Sequence, residues 1–280
     1  MRPTTLGIIG LGAIGGSVAR QAKQAGIATV LGWSPDPAER SAAVAQRAID
    51  AAPADTADIA RAADLLVLAA PPAANLQLLD TLSPHVRRDA LITDVGSVKR
   101  GIVARAEALG VAARFAGSHP LAGTHDHGFE ASRDNLFAGA VVYVTPCRGG
   151  RDAARRVGEF WETVLGARVV VVDAAAHDTQ MVVTSHLPQV IASLLGRYLA
   201  EHAPPGTTLG PGAKDTTRLA ASEPGLWTEI LLMNRDVLLP ALRSLEEPLG
   251  ELARALEDGD AATVTAWLSR GAVWRRGIGP

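Results

Sequence analysis

Residues 5–26 read TLGIIGLGAIGGSVARQAKQAG, and the punctuation of this stretch decides the fold. TLGIIG (residues 5–10) is apolar without polar alternation, as in a strand buried on both faces. GGSVARQAKQAG (15–26) has helical spacing and stops at a glycine. Between them, Gly10, Gly12 and Gly15 spell G-x-G-x-x-G. The spacing alone could be a plain glycine turn, but a strand before it and a helix after it give it chemical meaning. Gly10 permits the tight turn, Gly12 lets backbone approach a pyrophosphate, and Gly15 lets the helix pack on the strand. The helix N-terminus, with Ala13 and Ile14 in its first turn, then offers N–H groups and the positive dipole end to phosphate. The stretch predicts a dinucleotide site.

Working outward, the same grammar repeats. Strand patterns cover 28–33, 64–72, 90–97, 114–120, 140–146 and 167–173, with helical patterns at 39–48 and 151–166. This alternation predicts an α/β domain, a Rossmann-like, doubly wound and mainly parallel sheet. After Asp173 no convincing strand follows. Residues 174–203 form one long helical stretch, 204–215 a loop rich in glycine and proline, and 226–260 and 261–277 are helical again. The expected division is a dinucleotide-binding domain at 1–174 and an all-α domain at 175–280. Trp227, Ile230, Leu231, Asn234 and Leu238 fall at helical spacing and suit a core or dimer seam.

Composition narrows the partners. The 280 residues carry a formal charge of −2, so neither a basic nucleic-acid surface nor an acidic tail is indicated. Cys147 is the single cysteine, which excludes an intramolecular disulfide. The apolar N-terminus is broken by five glycines and lacks a cleavage signature, and no apolar run approaches the ~20 residues that cross a bilayer. The expectation is a soluble, cytoplasmic protein without nucleic-acid or membrane partners.

At the end of the second strand, GWSPDPAER places Ser34 where many NAD enzymes carry an acid for the ribose 2′-OH. Without a carboxylate at 34 a 2′-phosphate is not repelled, and Arg40 is placed to reach it, while Asp36 suits the ribose; NAD and NADP both stay open. Ala70 and Pro71 end the third strand and join the same rim. TDVGSVK (93–99) puts Ser97 and Lys99 at a strand's carboxyl end, although Lys99 reads as a solvated first-turn residue and Ser97 equally as a helix N-cap. GSHPLAGT (117–124) puts His119 on that rim. In HDTQMVVTSHLPQ (177–189), His177 and His186 stand 2.5 α-helical turns apart and point to opposite faces. KDTTR (214–218) carries Lys214, Asp215 and Arg218 just beyond the glycine-rich loop.

GLGAIGGS, DVGSVK, GSHPLAGT with FEASRDNLFAGAVVYVTP, HDTQMVVTSHLPQVIA and KDTTRLAASEPGLWTEI together resemble the prephenate and arogenate (cyclohexadienyl) dehydrogenase family, over nearly the whole chain. The resemblance implies a Rossmann-like domain, a helical dimerisation domain and a homodimer. It implies NAD(P)-dependent oxidative decarboxylation of prephenate, arogenate or both on the route to tyrosine. His119 is then the general base, with Ser97 hydrogen-bonded to it and ordering the nicotinamide. His186, Arg218, Asp215, Lys214, Thr124 and His125 bind substrate, Arg218 by bidentate contact with a carboxylate. Each has a plainer reading: a satisfied buried histidine at 119, a surface ion pair at Arg218, a helix cap at Asp215. Relatives often carry an acid where this chain has His125, so His125 is a candidate contact to the substrate's keto or amino side chain. His119, His125, Asp126 and His127 lack a recognised metal spacing, and no metal is expected. The other classes are a 3-hydroxyacid-type dehydrogenase, which should carry a lysine on a helix of the second domain, and a non-catalytic dinucleotide sensor, which should lack polar groups in the cleft. Residues 174–213 hold no lysine, Lys214 belongs to the expected loop, and the cleft positions are polar. With the chain ending at Pro280, no appended regulatory or chorismate mutase domain is expected.

Overall fold

A computed structural model of the chain describes residues 1–123 and 126–278. Seven strands, β1 (Thr5–Ile9), β2 (Thr29–Trp33), β3 (Leu65–Leu68), β4 (Leu91–Asp94), β5 (Phe115–Pro120), β6 (Val141–Pro146) and β7 (Arg168–Val171), form one sheet in the order β2-β1-β3-β4-β5-β6-β7. All neighbours are parallel except β5 and β6. The helices among them are α1 (Ala13–Gln24), α2 (Pro37–Ala45), α3 (Thr56–Ala62), α4 (Pro72–Leu82), α5 (Arg100–Ala108) and α6 (Arg151–Thr163).

The unbroken apolar strands are buried on two faces, and their period of two sorts them. Leu6, Ile8, Leu65 and Val67 meet Val18 of α1 and Phe160 and Trp161 of α6. Ile9, Leu66, Leu68 and Phe115 meet Ile59 of α3, Leu79 of α4 and Ile102 of α5. With strands fixed from both sides, the carboxyl ends of β1, β3, β4 and β5 open on one rim.

No strand follows β7 among the described residues. The chain continues as α7 (Ala174–Met181), a π turn (Val182–His186), α8 (Leu187–His202), α9 (Pro211–Thr217), α10 (Pro224–Met233), α11 (Arg235–Arg243), α12 (Glu246–Glu257) and α13 (Ala261–Gly277). The structure divides the expected helical stretches more finely and corrects the readings of Lys214 and Asp215. The stretch 226–260 is three helices, because Asn234 leaves helical geometry (φ −114°, ψ 18°) and turns its side chain inward, and a second break falls at Ser244–Leu245. Lys214 lies on α9, which Pro211 starts inside the expected loop, its fixed φ suiting a first helical turn. That helix also runs through Asp215, which caps nothing. The stretch 174–203 is continuous but not uniformly α. Pro188 offers no N–H to Thr184, and its ring crowds that carbonyl; the helix widens there, with Leu187 N–H donating to Val182 O.

Candidate active site

The cofactor cleft is built by small residues at strand ends. Gly10 has φ +103°, and a Cβ there or on Gly15 would collide with the backbone of Ala69 or Gly10, whereas a Cβ on Gly12 would meet nothing within 4 Å. The open space thus lies over the start of α1, where phosphate would sit. A cavity of about 540 Å³ continues from Gly10, Leu11 and Gly12 past Ser34, Glu39, Ala70 and Pro71. Asp36 is not available to a ribose from the position expected of it: its carboxylate caps α2 by accepting from Ala38 N–H at 2.8 Å. A carboxylate does lie beside position 34: Glu39, in the first turn of α2, accepts the Ser34 hydroxyl. Arg40 donates to the Ser34 carbonyl and lies over the Trp33 ring, 6.0 Å from its centroid.

His119 projects from the carboxyl end of β5. Its Nδ1 is 2.9 Å from Nε2 of His177, and His177 Nδ1 is 2.8 Å from Oδ1 of Asp178. His177 and Asp178 are buried. Desolvation, reinforced by the fields of His177, Lys99 and His186, holds the His119 pKa well below the ordinary 6.5, so its resting form is neutral. The Asp178 carboxylate is held below its ordinary range despite burial, because His177 and the N–H groups of Arg100 and Lys99 hydrogen-bond it. Those two N–H bonds, 2.7 and 2.9 Å, cap α5 from the other domain. This is the role read for Ser97, whose hydroxyl has no hydrogen-bond partner among the described residues; nor does Ser97 bond His119, whose Nδ1 is taken by His177.

Lys99 is also corrected: it is fully buried, its ammonium paired with the equally buried Asp94. Asp94 accepts Gly96 N–H at 2.8 Å, which ties the pair to the loop bearing Ser97. Burial raises the Asp94 pKa and lowers that of Lys99, each opposed by the other's charge.

His186 is buried. Its Nδ1 is 3.3 Å from Asn234 Nδ2, and its ring meets Trp227 edge-on at 6.1 Å. Asn234 also donates to the Asp178 carbonyl at 2.8 Å and accepts from Arg100 at 2.9 Å. Opposite faces for His177 and His186 assumed a regular α-helix. A π turn advances less per residue, and it brings His186 within the electrostatic reach of His177 and His119. Lys214, Asp215 and Arg218 are exposed in the single chain. Asp126 and His127 are exposed, and Thr124 and His125 lie outside the described residues. Sequence reading missed His177, Asp178 and Asn234; the adjacent acid in His177-Asp178 was the available signal for the first two.

Two family models match: the nucleotide-binding domain of prephenate dehydrogenase over residues 18–171 and its dimerization domain over 173–270. The chain is 34% identical to a cyclohexadienyl dehydrogenase of Zymomonas mobilis, covering 91% of this chain and 90% of that one. It superposes on a prephenate dehydrogenase of A. aeolicus, solved in complex with hydroxyphenyl propionate and NAD+, with a TM-score of 0.88, 31% identity and 98% of each chain covered. An arogenate dehydrogenase of Synechocystis gives a TM-score of 0.82 at 26% identity, with 98% of this chain and 99% of that one covered.

Proposed function

The chain belongs to the prephenate dehydrogenase family, and from that premise we propose how its own residues carry out the reaction. It is an NAD(P)-dependent oxidoreductase that oxidises and decarboxylates prephenate, arogenate or both in tyrosine synthesis. The residues of the cleft fit the cofactor: Gly10 and Gly15 hold a turn no side chain could enter, and Gly12 leaves the start of α1 open. When bound, the nicotinamide supplies the acceptor for the hydride of the hydroxyl-bearing ring carbon.

His119 takes the proton of that hydroxyl, and the O–H electron pair becomes the second bond of the new carbonyl. The bond from the ring to its carboxylate then breaks. CO2 leaves, the released pair enters the ring, and the carbonyl pair returns to its oxygen, which takes back the proton held by His119; the aromatic phenol and the lost CO2 make the sequence irreversible. The observation that carries this assignment is a neutral histidine at the carboxyl end of β5, on the rim shared with the glycine cleft. Ser97 lies on the neighbouring loop after β4 and is assigned to ordering the nicotinamide. His186, buried against Asn234 and Trp227, is assigned to a substrate carboxylate. Arg218, Lys214 and Asp215, with Thr124 and His125, are assigned to the substrate's outer end. The domains divide near residue 174, and two copies pair through helical faces such as Ile191, Leu194 and Tyr198 of α8.

The test is a two-by-two assay of prephenate and arogenate with NAD and NADP, run on wild type and His119→Asn. A positioned general base contributes about 10²–10⁴ in rate, so the variant loses at least that much turnover and keeps its cofactor affinity. Near-normal turnover in His119→Asn sinks the role of His119, and silence in all four wells sinks the activity.

A further inference from the structure

We infer that His177 and Asp178 are positioning residues that hold His119 in the one neutral tautomer able to accept a proton from substrate. The inference rests on the assignment of His119 as the base and goes beyond it, because it concerns which nitrogen is free.

The argument is a count of hydrogens. Asp178 is an anionic carboxylate receiving N–H groups from Lys99, Arg100 and the Arg100 side chain, and an ionised carboxylate only accepts. The 2.8 Å contact to His177 Nδ1 therefore carries a proton on that nitrogen. A neutral imidazole has one donor and one acceptor, so His177 Nε2 presents a lone pair. That lone pair is 2.9 Å from His119 Nδ1, which must supply the hydrogen between them. A neutral His119 protonated at Nδ1 has its lone pair on Nε2, away from His177. The alternative, a doubly protonated His177, puts a cation on a side chain with no solvent exposure.

The surroundings hold this arrangement still. The His177 ring stands edge-on between His119, at 5.1 Å between centroids, and Tyr143 of β6, at 5.5 Å. Tyr143 is held by Gln180 on the next turn of α7, whose amide donates to its hydroxyl at 2.6 Å. Titratable groups surround His119 from the elements packed on it: Lys99 before α5, His177 on α7, His186 in the π turn, and Tyr143, its register partner on β6. Among these His177 alone hydrogen-bonds its ring. When His119 takes the substrate proton at Nε2, its Nδ1–H stays on His177. The new positive charge then faces, through one ring, the carboxylate of Asp178, and no second proton needs to move.

Two measurements test this. In full-length protein with 15N-labelled histidine and bound NAD, long-range 1H–15N spectra between pH 7 and 8 read ring protonation without any substrate. The signals of His119 are those missing in His119→Asn. The expected result is a proton on Nδ1 and none on Nε2; the reverse pattern, or a doubly protonated His177, overturns the inference while leaving the catalytic assay untouched. For kinetics, His177→Phe keeps a ring but no acceptor, and His177→Gln places an amide oxygen near the lost Nε2. His177→Phe should lose about 10²–10⁴ in kcat, since a base held in the wrong tautomer can cost about 10⁴, with KM changed only a few-fold. His177→Gln should recover to within about 10-fold of wild type. Equal losses in two folded variants overturn the positioning role. If His177→Phe does not fold, the spectra of wild type and His177→Gln decide.

Discussion

Lys99→Met removes one half of the ion pair buried beneath the active-site loops. Methionine retains most of the apolar stem, so the lost quantity is the ammonium. Asp94 would keep its bonds to Gly96 N–H at 2.8 Å and Ser118 N–H at 3.3 Å, but its carboxylate, 1% exposed, would have no cation. Breaking a buried pair from one side costs about 3–5 kcal/mol, a large part of the ~5–15 kcal/mol that separates folded from unfolded protein. With a urea m-value of about 3 kcal/mol/M, the midpoint should fall by about 1–1.7 M, read at constant protein concentration because partner binding also shifts it. Adding Asp94→Asn removes the stranded charge while leaving an oxygen for Gly96. The double variant should therefore be more stable than Lys99→Met alone, a coupling of at least ~1.5 kcal/mol. A single-variant loss below about 1 kcal/mol, or a double variant that simply adds the two losses, would falsify the claim that these groups are an ion pair cut off from water.

Three further outcomes follow from the geometry. Glu39 lies in the cleft beside Ser34, so NAD should be preferred to NADP in kcat/KM, and Glu39→Gln should narrow the ratio by about 5–10-fold, or ~1 kcal/mol for a partly solvated charge pair; an unchanged ratio removes Glu39 from cofactor choice. His119 and His186 both have pKa values lowered by burial from 6.5. Between 6.5 and those lower values the unfolded chain binds more protons, so stability should drop as pH falls through that window and be fully present above it; urea midpoints independent of pH from 7.5 to 5 would contradict this. Leu194 is 59% exposed and Tyr198 57% in the single chain, and Leu194→Asp should convert a particle of twice 29.1 kDa into one of 29.1 kDa by light scattering; a variant still at the doubled mass places the seam elsewhere.

What the sequence disclosed and what it withheld divide along physical lines. The glycine loop was legible because each glycine answers a local backbone demand, visible in the positive φ of Gly10. The strands were legible because burial on both faces leaves no polar alternation. Lys99 was misread because a lysine at the start of a helix ordinarily reaches water; only the packing of β4, β5 and α5 seals it against Asp94. The contact between His119 and His177 spans 58 positions and exists through the docking of α7 on the sheet edge, which no local pattern encodes. Glu39 was passed over because the acid was sought at the strand's end rather than in the following helix. The break at Asn234 had a local signal, a polar residue within an apolar helical stripe, but its partners Asp178, His186 and Arg100 come from distant segments.

The widened turn at Val182–His186 has the form of one extra residue taken up by a helix. Its loss would be a shortening of the polypeptide by a single codon rather than a change of side chain. A deletion there restores the ordinary winding and turns everything beyond it by about 100° relative to α7. Then His177 can stay against His119 and His186 against Asn234, but Asn234 can no longer reach Asp178 and Arg100. The length of this helix, as much as its composition, is part of what makes the site.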